Sequence, residues 1–89
     1  MNTIPKEKIA ELKAYPFHYR LRMLRGWLGY NQKEFADLLG HHQTTISLWE
    51  RGLIQPSSKN LMKMIQVFDL PCDFFVDVVE NMNSQGKKN

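Results

Sequence analysis

QKEFADLLGHHQTTISLW, residues 32–49, is a pair of short amphipathic runs divided by Gly40. In the first run Phe35, Leu38 and Leu39 recur at helical spacing and form an apolar stripe. Ala36 is small enough to let two helices cross closely. Asn31, just ahead, is a good N-cap, and Glu34 three places on completes the pattern of a capping box. The second run, Gln43 to Arg51, turns by about 100° per residue if helical. Positions 43, 44, 47, 48 and 51 then share one arc, made of Gln, Thr, Ser, Leu and Arg. Positions 45, 46, 49 and 50 share the opposite arc, which carries Ile46 and Trp49. One face suits burial, and the other suits contact with something outside. His41 and His42 make the turn, and Gly52 stops the second helix.

Working outward towards the N-terminus, Phe17, Leu21, Leu24, Arg25 and Leu28 follow one helix face. Arg20 and Arg22 fall off that stripe, where solvated side chains belong. Gly29 is placed to end this helix in a left-handed conformation. Gly26 lies inside it and costs ~1 kcal/mol relative to Ala, so a close helix approach is the expected reason for it. Pro16 separates the helix from residues 1–15. That extension leaves two readings open. Pro5 can start a helix of two or three turns with Ile9 and Leu12 on one side, or the segment can be a frayed basic arm.

Towards the C-terminus, Pro56, Ser57 and Ser58 signal a new helix, with Ser57 as the expected N-cap. Leu61, Met64, Ile65 and Phe68 form its buried stripe. Asp69 stands where a left-handed residue is expected, and Leu70 returns to the core. Pro71 is expected to open a last helix with Phe75, Val78, Val79 and Met82 on one side and Phe74 off the stripe. Residues 83–89, NSQGKKN, read as a disordered tail.

Eighty-nine residues suit one small domain. No apolar run approaches the ~18–20 residues of a membrane span, and no apolar signal segment opens the chain. A cytoplasmic protein is expected. The single cysteine, Cys72, excludes an internal disulfide and is expected as a small buried hydrophobe. Net charge is +3, concentrated in residues 1–30, which carry six Lys/Arg against two Glu. Such a basic end can meet a polyanion. Metal binding and catalysis are not expected. The adjacent His41 and His42 point apart, and no convergent nucleophile, base and oxyanion site is evident. No cofactor is implied.

Phe17 to Val79 resembles the DNA-binding domain of lambdoid phage repressors and Cro proteins, within the wider XRE-type helix-turn-helix family. The resemblance rests on Leu21, Leu24, Arg25, Asn31–Gln32, Phe35–Ala36, Leu39–Gly40, Ile46, Trp49–Glu50–Arg51–Gly52, Pro56, Leu61 and Phe68. It implies an all-α, compact five-helix repressor-like domain over residues 16–82, containing a helix-turn-helix. Residues 1–15 stand ahead of it, as an extra helix or as an arm. Three positions depart from the family pattern. His41 replaces an apolar residue after the turn glycine. Leu53-Ile54-Gln55 occupies a loop that is often more basic. Asp69 replaces a frequent Gly.

The resemblance implies a sequence-specific, double-stranded DNA-binding transcriptional regulator of the repressor kind, reading the major groove with helix 43–51. Gln43, Thr44, Ser47 and Leu48 would read base edges. Gln32, His42, Thr45, Arg51, Lys59 and Asn60 would hold the DNA backbone. Arg25 and Glu50 would form a structural salt bridge. A homodimer on a two-fold symmetric operator is expected, with Phe74, Phe75, Val78 or the N-terminal extension as its interface. Antitoxins, restriction-modification controllers and protein-bridging coactivators share this fold and remain as alternatives.

Overall fold

Each helix of the chain begins and ends where local chemistry requires it. A computed structural model describes residues 4–75, 77 and 78. Its helices are α1 (Lys6–Leu12), α2 (Phe17–Leu28), α3 (Gln32–Leu39), α4 (Gln43–Glu50) and α5 (Ser58–Phe68). No strand occurs among the described residues, and no helix there is long and apolar enough to cross a membrane. Pro5 and Pro16 are the N-caps of α1 and α2, where their fixed φ suits entry into a helix. The capping box of α3 is complete. Asn31 Oδ1 accepts from the Glu34 N–H at 2.8 Å, and Glu34 Oε1 accepts from the Asn31 N–H at 2.9 Å. Ser57 caps α5 by accepting from the Asn60 N–H.

Left-handed residues set the turns, Gly40 and Asp69 among them. Gly40 has φ 73°, which lets the His41 N–H reach back to the Ala36 carbonyl and close α3 abruptly. Asp69 takes φ 55° after α5, so an L-residue bears there a strain that glycine avoids.

The core joins Leu21, Leu24 and Leu28 of α2 to Phe35, Ala36 and Leu39 of α3, Ile46 and Trp49 of α4, and Leu61, Met64 and Phe68 of α5. Phe35 and Phe68 stack with centroids 4.9 Å apart. Ile4 and Leu12 enter the same core, so residues 6–12 form a docked helix and not a frayed arm. Leu38, expected on the buried stripe, is exposed. It lies on the edge of α3 that no helix among the described residues covers.

The chain departs from its sequence pattern most at α2. Periodicity puts Arg20 off the apolar stripe, yet it is only 1% exposed. The reason is a second cover on α2, supplied by the turn after α1 and by residues 72–75, 77 and 78. Arg20 fills the junction with six hydrogen bonds. It donates to the carbonyls of Lys13 (3.1 Å), Tyr15 (2.8 and 3.3 Å) and Phe74 (2.9 Å), and to both oxygens of Asp77 (3.0 and 2.9 Å). The hydrogen bond from Arg20 holds the Asp77 carboxyl below its ordinary value of 3.8.

The segment after Pro71 differs in part from expectation: residues 77 and 78 are helical, but the helix does not begin at Pro71. Residues 72–75 are a turn, with the Phe74 N–H bonded to the Pro71 carbonyl at 3.0 Å. A helical wheel therefore does not apply to Phe74 or Phe75. Phe74, Phe75 and Val78 are 0%, 1% and 6% exposed. They pack inside the monomer and offer no free dimer surface. Cys72, on the outside of this turn, is exposed and not buried. Val79, Met82 and the tail at 83–89 lie outside the described residues.

Gly26 serves no close crossing. It is exposed, and a Cβ there would meet nothing within 4 Å. Gly26→Ala is expected to raise stability by about 0.5–1 kcal/mol through helix propensity alone. A denaturant titration checks this. An unchanged or lowered midpoint would show a constraint on that position.

Candidate nucleic-acid interface

Helix α4 is held by its back. Ile46 and Trp49 are fully buried, and burial of side chains of this kind stabilises by about 1.5–3 kcal/mol each. The His41 ring packs edge-on against Trp49 at 5.2 Å. The front of α4 is left outward. Gln43 and Thr44 are exposed on its first turn, and Ser47 and Leu48 are half-buried one turn later. Thr45 is half-buried beside them. His42 is the N-cap, exposed and without a side-chain cap bond, and Arg51 is the exposed C-cap. Lys59 and Asn60 lie on the first turn of α5.

One hydrogen-bonded chain runs from the core to this front. Arg25 Nε and Nη2 donate to Glu50 Oε2 and Oε1 at 2.6 and 3.0 Å, a bidentate pair. Arg25 Nη1 donates to the Tyr30 carbonyl at 2.9 Å. The Glu50 side chain is 3% exposed, and its carboxylate holds the Arg25 guanidinium above its usual range through that hydrogen bond. Gln32 Nε2 donates to Glu50 Oε1 at 3.1 Å, and Gln43 Nε2 donates to Gln32 Oε1 at 3.4 Å. A carboxylate only accepts, so it fixes which end of the Gln32 amide faces it. The Gln32 oxygen is thereby turned to Gln43 and favours the amide orientation that donates to it, through a long, exposed bond. Gln43 keeps one free N–H and a free carbonyl oxygen.

A second orienting pair lies at the turn. His41 Nε2 meets Asn60 Oδ1 at 3.0 Å, which leaves the Asn60 amide N–H groups available to a ligand. Lys59 and Asn60 border a hollow of about 660 Å³ beside Gly40 and His41. A smaller cleft of about 380 Å³ lies between α2 and α4, lined by Arg22, Arg25, Gln32, Ser47, Glu50 and Arg51.

Of the side chains singled out from sequence, Gln32, Gln43, Arg25 and Glu50 thus form one connected unit, and Asn60 is positioned by His41. Lys59 is brought to the Asn60 hollow, away from that unit. The sequence reading missed Arg22, which it left as a solvated side chain. Its signal was spacing: Arg22 stands one helical turn before Arg25 and so shares its side of α2.

A helix-turn-helix family model matches residues 21–75, well over half of the chain. Comparison with curated proteins and with solved structures returned no match. The matched span contains α3, the Gly40 turn and α4, together with the Arg25–Glu50 bridge that ties α4 to α2. The chain belongs to the XRE-type helix-turn-helix family, a family of DNA-binding transcription regulators.

Proposed function

We propose that this protein is a sequence-specific repressor that reads the major groove of double-stranded DNA with α4, two copies occupying a two-fold symmetric operator. The observation that carries this reading is the Glu50–Gln32–Gln43 chain. It leaves Gln43 presenting one donor and one acceptor side by side. Adenine presents the complementary pair in the major groove, N7 as acceptor and N6–H as donor. A pre-oriented amide avoids the entropy of choosing between two flips on binding. Thr44, Ser47 and Leu48 complete the reading face, with apolar contact to a thymine methyl as the natural role of Leu48. Gln32, His42, Thr45, Arg51, Lys59 and Asn60 hold the backbone on either side.

The eight residues of α4 span about 12 Å, too little to specify a site alone. Two copies with reading helices about 34 Å apart, one per half-site, double the information. Phe74, Phe75 and Val78 are consumed by the monomer core, and α1 docks on its own chain. Pairing on the operator therefore does not use those three side chains.

Selection from random duplexes tests the proposal. The wild type is expected to return inverted half-sites at fixed spacing. Gln43→Ala should lose ~1–3 kcal/mol on that site and relax one base position, whereas Arg51→Ala should weaken all sequences alike. An unpaired single half-site would remove the two-fold reading. Relaxed specificity in Arg51→Ala with none in Gln43→Ala would reverse the assignment of faces.

A further inference from the structure

We propose that the cleft between α2 and α4 seats one backbone phosphate of the bound DNA, with Arg22 supplying a contact from outside the helix-turn-helix. The inference rests on the DNA-reading role assigned above. Three arginines and one glutamate line the cleft. Glu50 is already committed, to Arg25 by a bidentate pair and to Gln32 by a further hydrogen bond. Arg22 and Arg51 are both exposed and have no ion-pair partner among the described residues. The floor of the cleft is therefore neutralised while its lip carries two unspent positive charges.

Helical register explains why they meet. The Arg25–Glu50 bridge fixes which side of α2 faces which side of α4. Arg22 precedes Arg25 by one turn, Ser47 precedes Glu50 by one turn, and Arg51 follows Glu50 directly. The bridge thus brings Arg22 to the lip where Ser47 and Arg51 stand. A guanidinium offers a planar fork that fits two phosphate oxygens, and the Ser47 hydroxyl adds a neutral donor. The cleft shares Ser47 with the reading face and Gln32 with the chain that orients Gln43. An anion seated in it lies beside the groove contacts, where a DNA strand passes.

The test uses the wild type, Arg22→Gln and Arg22→Lys on the selected duplex over a salt series, with melting curves to confirm folding. Arg22→Gln is expected to bind roughly tenfold more weakly at low salt, with unchanged base preference. Its slope of log K against log salt should fall by about one contact, ~0.9. Arg22→Lys should keep the slope, since the charge remains. Duplexes carrying a neutral methylphosphonate at one position then locate the contact. One such duplex should weaken the wild type but not weaken Arg22→Gln further. An unchanged slope and an identical methylphosphonate pattern in Arg22→Gln would overturn the proposal. So would the same unchanged slope combined with inorganic phosphate shifting the Arg22 Nε–H resonance, which would make the cleft a free-anion site. Failure of the wild type to bind any duplex selectively would instead reject the DNA-reading role, and the cleft's ligand with it.

Discussion

Arg20→Ala is expected to lower stability by about 3–5 kcal/mol, because it strips one buried and two part-buried carbonyls of a shared donor and empties the junction that the buried guanidinium fills. The carbonyls of Lys13, Tyr15 and Phe74 lose together the only side-chain donor they have among the described residues; the buried Phe74 carbonyl, left unsatisfied, costs about 1–3 kcal/mol and the part-buried pair cost less. Asp77 is a lesser contributor. Its side chain is 52% exposed and regains water when Arg20 is gone, so Asp77→Asn should cost under about 1 kcal/mol. A small domain is stable by only about 5–15 kcal/mol. At roughly 4–8 °C per kcal/mol, Arg20→Ala should lower the melting midpoint by more than about 12 °C. Arg20→Lys should recover part of this, since an ammonium keeps the charge but not the planar fork. The Asp77 carboxyl is held below its ordinary 3.8 in the fold. Its contribution is therefore complete above that value and is lost as pH falls through the lower folded value. Asp77→Asn should accordingly flatten the acid limb of the stability curve. A loss below about 1 kcal/mol for Arg20→Ala would mean that the junction rehydrates and is not the clamp described.

Arg25→Ala is expected to cost a similar 3–5 kcal/mol for a different reason. It strands the Glu50 carboxylate, which is 3% exposed and keeps only Gln32 as a side-chain donor. Adding Glu50→Gln should restore much of the stability, because the stranded charge disappears. It should not restore selectivity. A glutamine at position 50 can present either its oxygen or its amide to Gln32, so the orientation passed to Gln43 is lost. Chemical denaturation of the two singles and the double gives the coupling energy, and selection on random DNA gives the specificity. A melting midpoint near wild type for Arg25→Ala would remove the bridge as a structural device. Full selectivity in the double variant would show that Gln43 is oriented by other means.

What could be read from the chain beforehand was what depends on neighbours in sequence. The capping box at Asn31 and Glu34, the left-handed exits at Gly29, Gly40 and Asp69, and the stripes of α2, α4 and α5 are local features. The burial of Arg20 was not legible, because periodicity reports one apolar face per helix and α2 is covered twice. The burial of Phe74 was not legible for a related reason: residues 72–75 form a turn, to which helical periodicity does not apply. At the candidate site, the inward arcs of Arg25 and Glu50 were visible in the spacing. The link through Gln32 to Gln43 was not, since amide flips are set by partners brought together only in the fold. Arg22 was hidden in the same way, as a charge whose meaning depends on which side of α4 stands opposite.

If α4 reads DNA as proposed, the hydrogen-bonded chain behind Gln43 also divides its outer face by how freely it can evolve. Thr44, Ser47 and Leu48 are not links in it, so exchanging them would retarget the protein while leaving the fold alone. Position 43 has less such freedom, because its side chain takes its orientation from a line that starts at the Arg25–Glu50 bridge. A lineage carrying this scaffold would diverge in operator preference through three positions and keep the fourth as a shared letter.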